Sequence, residues 1–129
     1  MDRSDERETV LVFPHLGFSL NSRQHWAKKG ARNKVVRSLT AIQAQPAVRL
    51  WGDPPEGPVH LAYQVTWPKG QRKFDIDNLI GMLKPVQDGL VDCKFLLKDT
   101  PDYIGGISVA QDRDKTRIGM VVVRVTVSG

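Results

Sequence analysis

The sequence predicts a small, single-domain α/β (α+β) fold, a mixed sheet with two main helices packed on it, in the order β-α-β-α-β-β. Three observations predict this. A chain of 129 residues with 40% apolar and 26% charged composition has the size and make-up of one globular domain. Apolar residues alternate through Val59-Trp67, and they recur at helical spacing in two other stretches.

In order, Thr9-Val10-Leu11-Val12-Phe13 reads as a short strand ended by Pro14, and a loop with Gly17, Asn21 and Ser22 follows. Val35, Leu39 and Ile42, with Val36 beside them, predict a helix whose apolar side rests on the sheet, and Pro46 is expected to end or bend it. The segment 52–58, GDPPEGP, is a turn-rich connector. Val59, Leu61, Tyr63, Val65 and Trp67 alternate with His60, Ala62, Gln64 and Thr66, the pattern of a half-buried strand. A basic loop, 69–73, precedes a second helix that starts around Asp77-Asn78, and residues 92–102 look irregular. Strands near 103–111 and 117–127 flank the polar turn Asp112-Arg113-Asp114-Lys115 and are expected to pair as an antiparallel hairpin.

Composition excludes several classes. No run approaches the roughly 18 to 20 apolar residues of a membrane span, and the acidic, polar start does not look like a signal peptide, so a cytoplasmic protein is expected. The single Cys93 excludes an internal disulfide framework, and His15, His25 and His60 lie too far apart in sequence for zinc-ligand spacing. Net charge is +5, but residues 1–8 carry four acids and two arginines, which leaves about +7 on the body. That divides the chain into an acidic, flexible tail, 1–8, and one domain, 9–129. Between Asn21 and Leu39 stand Arg23, Lys28, Lys29, Arg32, Lys34 and Arg37 with no acid among them, a density suited to a phosphate backbone or to a solvated helix face.

The segment 74–90, FDIDNLIGMLKPVQDGL, carries the chemistry. At about 100° per residue, with Asp77 at zero, Lys84 falls near −20° and Asp88 near +20°, while Leu79, Met82, Leu83, Val86 and Leu90 span about 140° to 240°. Two acids and a lysine therefore share a face opposite an apolar one, provided the helix passes Pro85 with only a gentle bend. A helix N-cap accounts for one of Asp75, Asp77 and Asn78, and an exposed i,i+4 pair accounts for Lys84 and Asp88. Taken together, clustered carboxylates beside basic loops suit Mg²⁺, which takes oxygens from one or two carboxylates plus substrate phosphate. A calcium-binding loop is excluded, because Leu79, Ile80 and Val86 stand where that motif needs an oxygen ligand, glycine and glutamate.

The series Asp75, Asp77, Asn78, Lys84, Asp88 and Asp99 resembles the motif of the RusA family of Holliday junction resolvases. The stretch 21–29, NSRQHWAKK, resembles the basic start of its phage-borne members, and the likeness covers roughly residues 10 to 110. The gap from Asn78 to Lys84 is three residues longer than in the best-known bacterial form, and Lys98-Asp99 stands where the family often has two adjacent acids. The resemblance implies a crossover junction endodeoxyribonuclease of bacterial, prophage or phage origin, working in DNA recombination and repair. It implies a homodimer that nicks branched DNA, a four-way junction, using Mg²⁺ with Mn²⁺ as a substitute. By the same resemblance Asp75, Asp77 and Asp99 would hold the metal, Lys84 would be catalytic, and Asp88 would be a further acid at the site. DNA contacts are expected from Arg23, Lys28, Lys29, Arg32, Lys69, Arg72, Lys73 and Phe74, with Phe74 and Trp67 placed to wedge or stack on bases or, more plainly, to end a strand in the core. Two other readings stand beside this one: a non-catalytic DNA-binding module whose acids merely cap a helix, and a metal-dependent phosphodiesterase acting on other nucleic acid.

Overall fold

The computed structural model describes the backbone of residues 6–14 and 26–129, with side chains in the first helix described from Gly30 onward. The elements are β1 (Arg7–Pro14), α1 (Trp26–Trp51), β2 (Val59–Trp67), α2 (Ile76–Asp92), β3 (Ile104–Arg113) and β4 (Met120–Ser128). This is the expected order, in a small mixed α+β domain. Strand β1 begins at Arg7, two residues before the predicted start. Among the described residues no helix is long and apolar enough to cross a membrane.

The predicted hairpin does not form. The sheet runs β1-β4-β2-β3, with β4 antiparallel to both β1 and β2, and β3 parallel to β2 at the edge. Composition accounts for the rearrangement. In β4, Val121, Val123, Val125 and Val127 are all buried, so this valine-rich strand is best used where neighbours on both sides extend its apolar face. Strand β3 carries Gly105-Gly106 and a mostly exposed sequence, which suits an edge. Its parallel pairing with β2 follows from the intervening α2, a crossover long enough to bring the chain back to the same end of the sheet.

One sheet face and the two helices enclose the core. Leu11 and Phe13 of β1, the alternating Val59, Leu61, Tyr63, Val65 and Trp67 of β2, and the four valines of β4 meet Leu79, Leu83, Val86 and Leu90 of α2. Each of those helical side chains contributes about 2 kcal/mol by leaving water. On α1 the buried line is Val36, Thr40 and Ala44, with Leu39 half-buried, whereas Val35 and Ile42 lie on the exposed side, Ile42 at 67%. The expected face was therefore rotated: Val36 and not Val35 points inward, and Thr40 and Ala44, not Ile42, continue the buried line.

Neither proline ends its helix. Helix α1 continues through Pro46 to Trp51, and α2 through Pro85 to Asp92. Pro46 is exposed, so the carbonyl it leaves without a partner at Ile42 can be met by water. At Pro85, which is buried, the disturbed turn meets Arg32 of α1, whose Nη1 and Nη2 both donate to the Met82 carbonyl at 3.2 Å. The helices approach closely at Gly89, where a Cβ would sit 2.5 Å from the Arg37 carbonyl oxygen and 2.7 Å from Thr40 Cβ. Gly89 is what lets α2 lie against α1.

Candidate active site

The site is built at the end of the sheet where β2 leaves the core. After Trp67 the chain turns through the basic loop, in which Lys69, Arg72 and Lys73 are all exposed. It is then fastened at Phe74 by a residue of the edge strand. Gln111 Nε2 donates to the Phe74 carbonyl at 2.5 Å, while Gln111 Oε1 accepts from the Phe74 backbone N–H at 3.1 Å and from Trp67 Nε1 at 2.9 Å. The Phe74 ring packs on Trp67 with centroids 4.9 Å apart. Trp67 is fully buried, so it closes the core, and Phe74 is half-buried at its margin.

This fastening delivers Asp75 to the N-cap of α2, with φ −60° and ψ 144°, where its carbonyl accepts the Leu79 N–H at 3.0 Å. Its carboxylate makes no capping hydrogen bond, so the plain capping role considered for it is not taken up. Asp77 follows in the first turn, and both residues are exposed.

Further along α2, Lys84 Nζ stands 2.9 Å from Asp99 Oδ2 and 3.2 Å from Asp88 Oδ1. The first contact joins α2 to the loop after it, which is pinned by the buried Phe95 and Leu96 and by Tyr103. The Tyr103 hydroxyl donates to the Pro55 carbonyl at 2.6 Å and accepts from the Leu97 N–H at 3.2 Å. The hydrogen bond to Asp99, then the contacts with Asp88, raise the Lys84 ammonium above its ordinary value. In return, Lys84 holds the Asp99 carboxyl below the usual carboxylate range. Beside them Arg37 of α1 donates from Nε to Asp92 Oδ2 at 2.6 Å and from Nη2 to Asp92 Oδ1 at 2.8 Å, a bidentate pair between the two helices. That pair pulls Asp92 down as well.

Lys84, Asp88 and Asp99 are thus brought together, while Asp75 and Asp77 lie at the start of the same helix. Asp77 and Lys84 are seven positions apart, about 10.5 Å of helical rise. Among the described residues no group of three histidine, cysteine, aspartate or glutamate side chains is placed to hold a metal ion. Asp99 faces Lys84 instead.

Of the residues expected to touch DNA, Lys69, Arg72 and Lys73 are exposed beside Asp75. Arg32 is a correction: it is only 7% exposed, and its guanidinium is engaged by Met82 and by Asn33 Oδ1 at 2.9 Å. Burial lowers it to about 10, and its work is to hold the helices together. Arg23, and the side chains of Lys28 and Lys29, lie outside the described residues. Sequence reasoning missed Gln111, the Arg37–Asp92 pair and Tyr103, because each acts through a partner distant in sequence; the one advance signal was Arg37's place in the basic run.

No protein-family model and no curated protein matches the chain.

Proposed function

We propose that this protein is a Mg²⁺-dependent, structure-selective DNA endonuclease that resolves four-way junctions by paired symmetric nicks, acting as a homodimer of the RusA type in recombination and repair. The observation that supports this most is Lys84, held between Asp88 and Asp99 on the helix whose first turn displays Asp75 and Asp77 next to an exposed basic loop. An arrangement of that kind offers a fixed positive charge, free carboxylates and a phosphate-binding surface along one ridge.

Asp75 and Asp77 fit a hard cation. Both are exposed, the Asp75 carboxylate is not tied up in capping, and Mg²⁺ commonly takes one or two carboxylates and completes its shell with water and substrate phosphate. Held by Asp75 and Asp77, such an ion would supply Lewis-acid polarisation of a bound phosphate. Lys84 stays protonated under its two carboxylates and neutralises charge that develops on the phosphate, a preorganised donor of the kind that lowers such barriers. Asp88 and Asp99 hold its ammonium in place. Lys69, Arg72 and Lys73 take the strand backbone, and the open part of the Phe74 ring stacks on a base freed at the branch point. A homodimer follows from the substrate, since two symmetric nicks call for two equivalent sites.

The test is Lys84→Ala. The side chain is half-exposed, so the variant folds and keeps its affinity for a four-way junction, while cleavage falls by roughly 10²- to 10³-fold, the range seen when one preorganised donor is lost. Undiminished cutting would remove Lys84 from the mechanism.

A further inference from the structure

Between α1 and α2, Asn33, Lys34, Arg37, Lys84, Pro85 and Asp88 line a cleft of about 130 Å³. Pockets for drug-sized ligands begin at about 300 Å³, so the cleft suits a group as small as a phosphate. Three cations line it against one carboxylate, and their commitments differ. Arg37 is held by Asp92, and Lys84 by Asp88 and Asp99. Lys34 is exposed and makes no ion pair among the described residues.

Asn33 supplies a second donor, and its orientation is set from below. Arg32 Nη1 donates to Asn33 Oδ1 at 2.9 Å, and an arginine has only donors, so the amide oxygen must be the atom facing it. Arg32 is buried and fixed in turn by the Met82 carbonyl. With its oxygen engaged by Arg32, the Asn33 amide keeps its NH₂ as a donor, and the residue lines the cleft.

We propose that this cleft is a phosphate subsite, in which the Lys34 ammonium and the Asn33 NH₂ grip the non-bridging oxygens of a DNA-backbone phosphate neighbouring the one cut at Lys84. Arg37 and Lys84 add fixed positive charge around it, and their own carboxylates keep them from closing over it. That the phosphate belongs to DNA rests on the nuclease reading; that the cleft takes a phosphate does not.

Two measurements separate these levels. In the first, ¹⁵N-labelled protein is titrated with inorganic phosphate at constant ionic strength, with chloride as control. The Asn33 side-chain amide and the Lys34 backbone signal shift saturably with phosphate, and the response disappears in Lys34→Gln and Asn33→Ala, whose circular dichroism matches wild type. In the second, binding of a labelled four-way junction is followed across salt concentrations in EDTA. Losing one phosphate contact reduces the slope of log affinity against log salt by about 1 in Lys34→Gln. A phosphate response in a protein that binds no DNA would uphold the subsite while removing the nuclease reading. Absent or chloride-equal shifts, with an unchanged slope in Lys34→Gln, would overturn the subsite and leave the nuclease reading standing.

Discussion

Gln111 connects the edge of the sheet to the start of α2, and replacing it by leucine tests whether that connection positions the carboxylates. Leucine keeps the approximate volume and removes three hydrogen bonds: two to the Phe74 backbone at 2.5 and 3.1 Å and one from Trp67 Nε1 at 2.9 Å. A protein hydrogen bond contributes about 0.5 to 1.5 kcal/mol net, and here two donors share one acceptor in a partly buried setting, so the lower half of the range applies and the sum is about 2 kcal/mol. For a domain of this size 1 kcal/mol moves the melting temperature by roughly 3 to 5 °C, so a fall of about 6 to 10 °C is expected. The consequence for function is separate. The Phe74-Asp75 segment loses its fastening, so junction cleavage falls more than junction binding, and amide exchange at residues 73–79 quickens while that of β4 does not. Urea melts, exchange and cleavage assays on the same variant report all three. Cleavage at the wild-type rate in a variant destabilised by about 2 kcal/mol would refute the idea that Gln111 sets the position of Asp75.

Other perturbations have equally definite outcomes. Gly89→Ala forces a methyl against the Arg37 carbonyl and Thr40; overpacking costs typically 1 to 3 kcal/mol and alanine's better helix propensity returns about 1, so a net loss of up to about 2 kcal/mol should appear in urea unfolding, and a stabilised variant would contradict the close helix contact. The Lys84–Asp99 pair predicts a pH window. Asp99 is held below its ordinary 3.8, so its contribution is present above that value and is lost as the pH falls through the lowered one. Lys84 is raised above its ordinary 10.5, so its contribution is complete below 10.5 and is lost as the pH rises through the raised value. Both partners are about half exposed, so the pair is worth under about 1 kcal/mol, and the difference in stability between wild type and Lys84→Met should be flat and small between about pH 5 and 9. A difference that varied across that interval would mean another group titrates there.

Much of the fold was legible because single-residue periodicities dominate it. The alternation in β2 appears as the sequence predicts, and of the apolar face expected on α2 Leu79, Leu83, Val86 and Leu90 are buried while Met82 is half-buried. Strand pairing was not legible, because proximity in sequence favours a β3–β4 hairpin, whereas burial places β4 between β1 and β2; that choice depends on the sum of contacts across the sheet. The face of α1 was misjudged because Val35 and Ile42 resemble core residues, whereas the close approach at Gly89 brings α2 against Thr40. At the site, helical spacing was enough to pair Lys84 with Asp88. The contact between Lys84 and Asp99 was not foreseen, since the resemblance implied only a metal-binding role for Asp99 and an irregular loop separates the two residues. Arg32 misled because charge in a basic run reads as surface, and only the turn of α2 disturbed by Pro85 gives it a buried partner.

The central claim is that the carboxylates at the start of α2 support metal-dependent cutting of branched DNA. It is tested most directly with a labelled synthetic four-way junction, a linear duplex control, Mg²⁺ or EDTA, and wild type alongside Asp77→Asn. Paired symmetric nicks in the junction alone, abolished by EDTA and by Asp77→Asn while junction binding persists, are the predicted result. Tight junction binding with no cutting in Mg²⁺, or cutting that survives Asp77→Asn, would contradict the account and return Asp75 and Asp77 to the start of a structural helix.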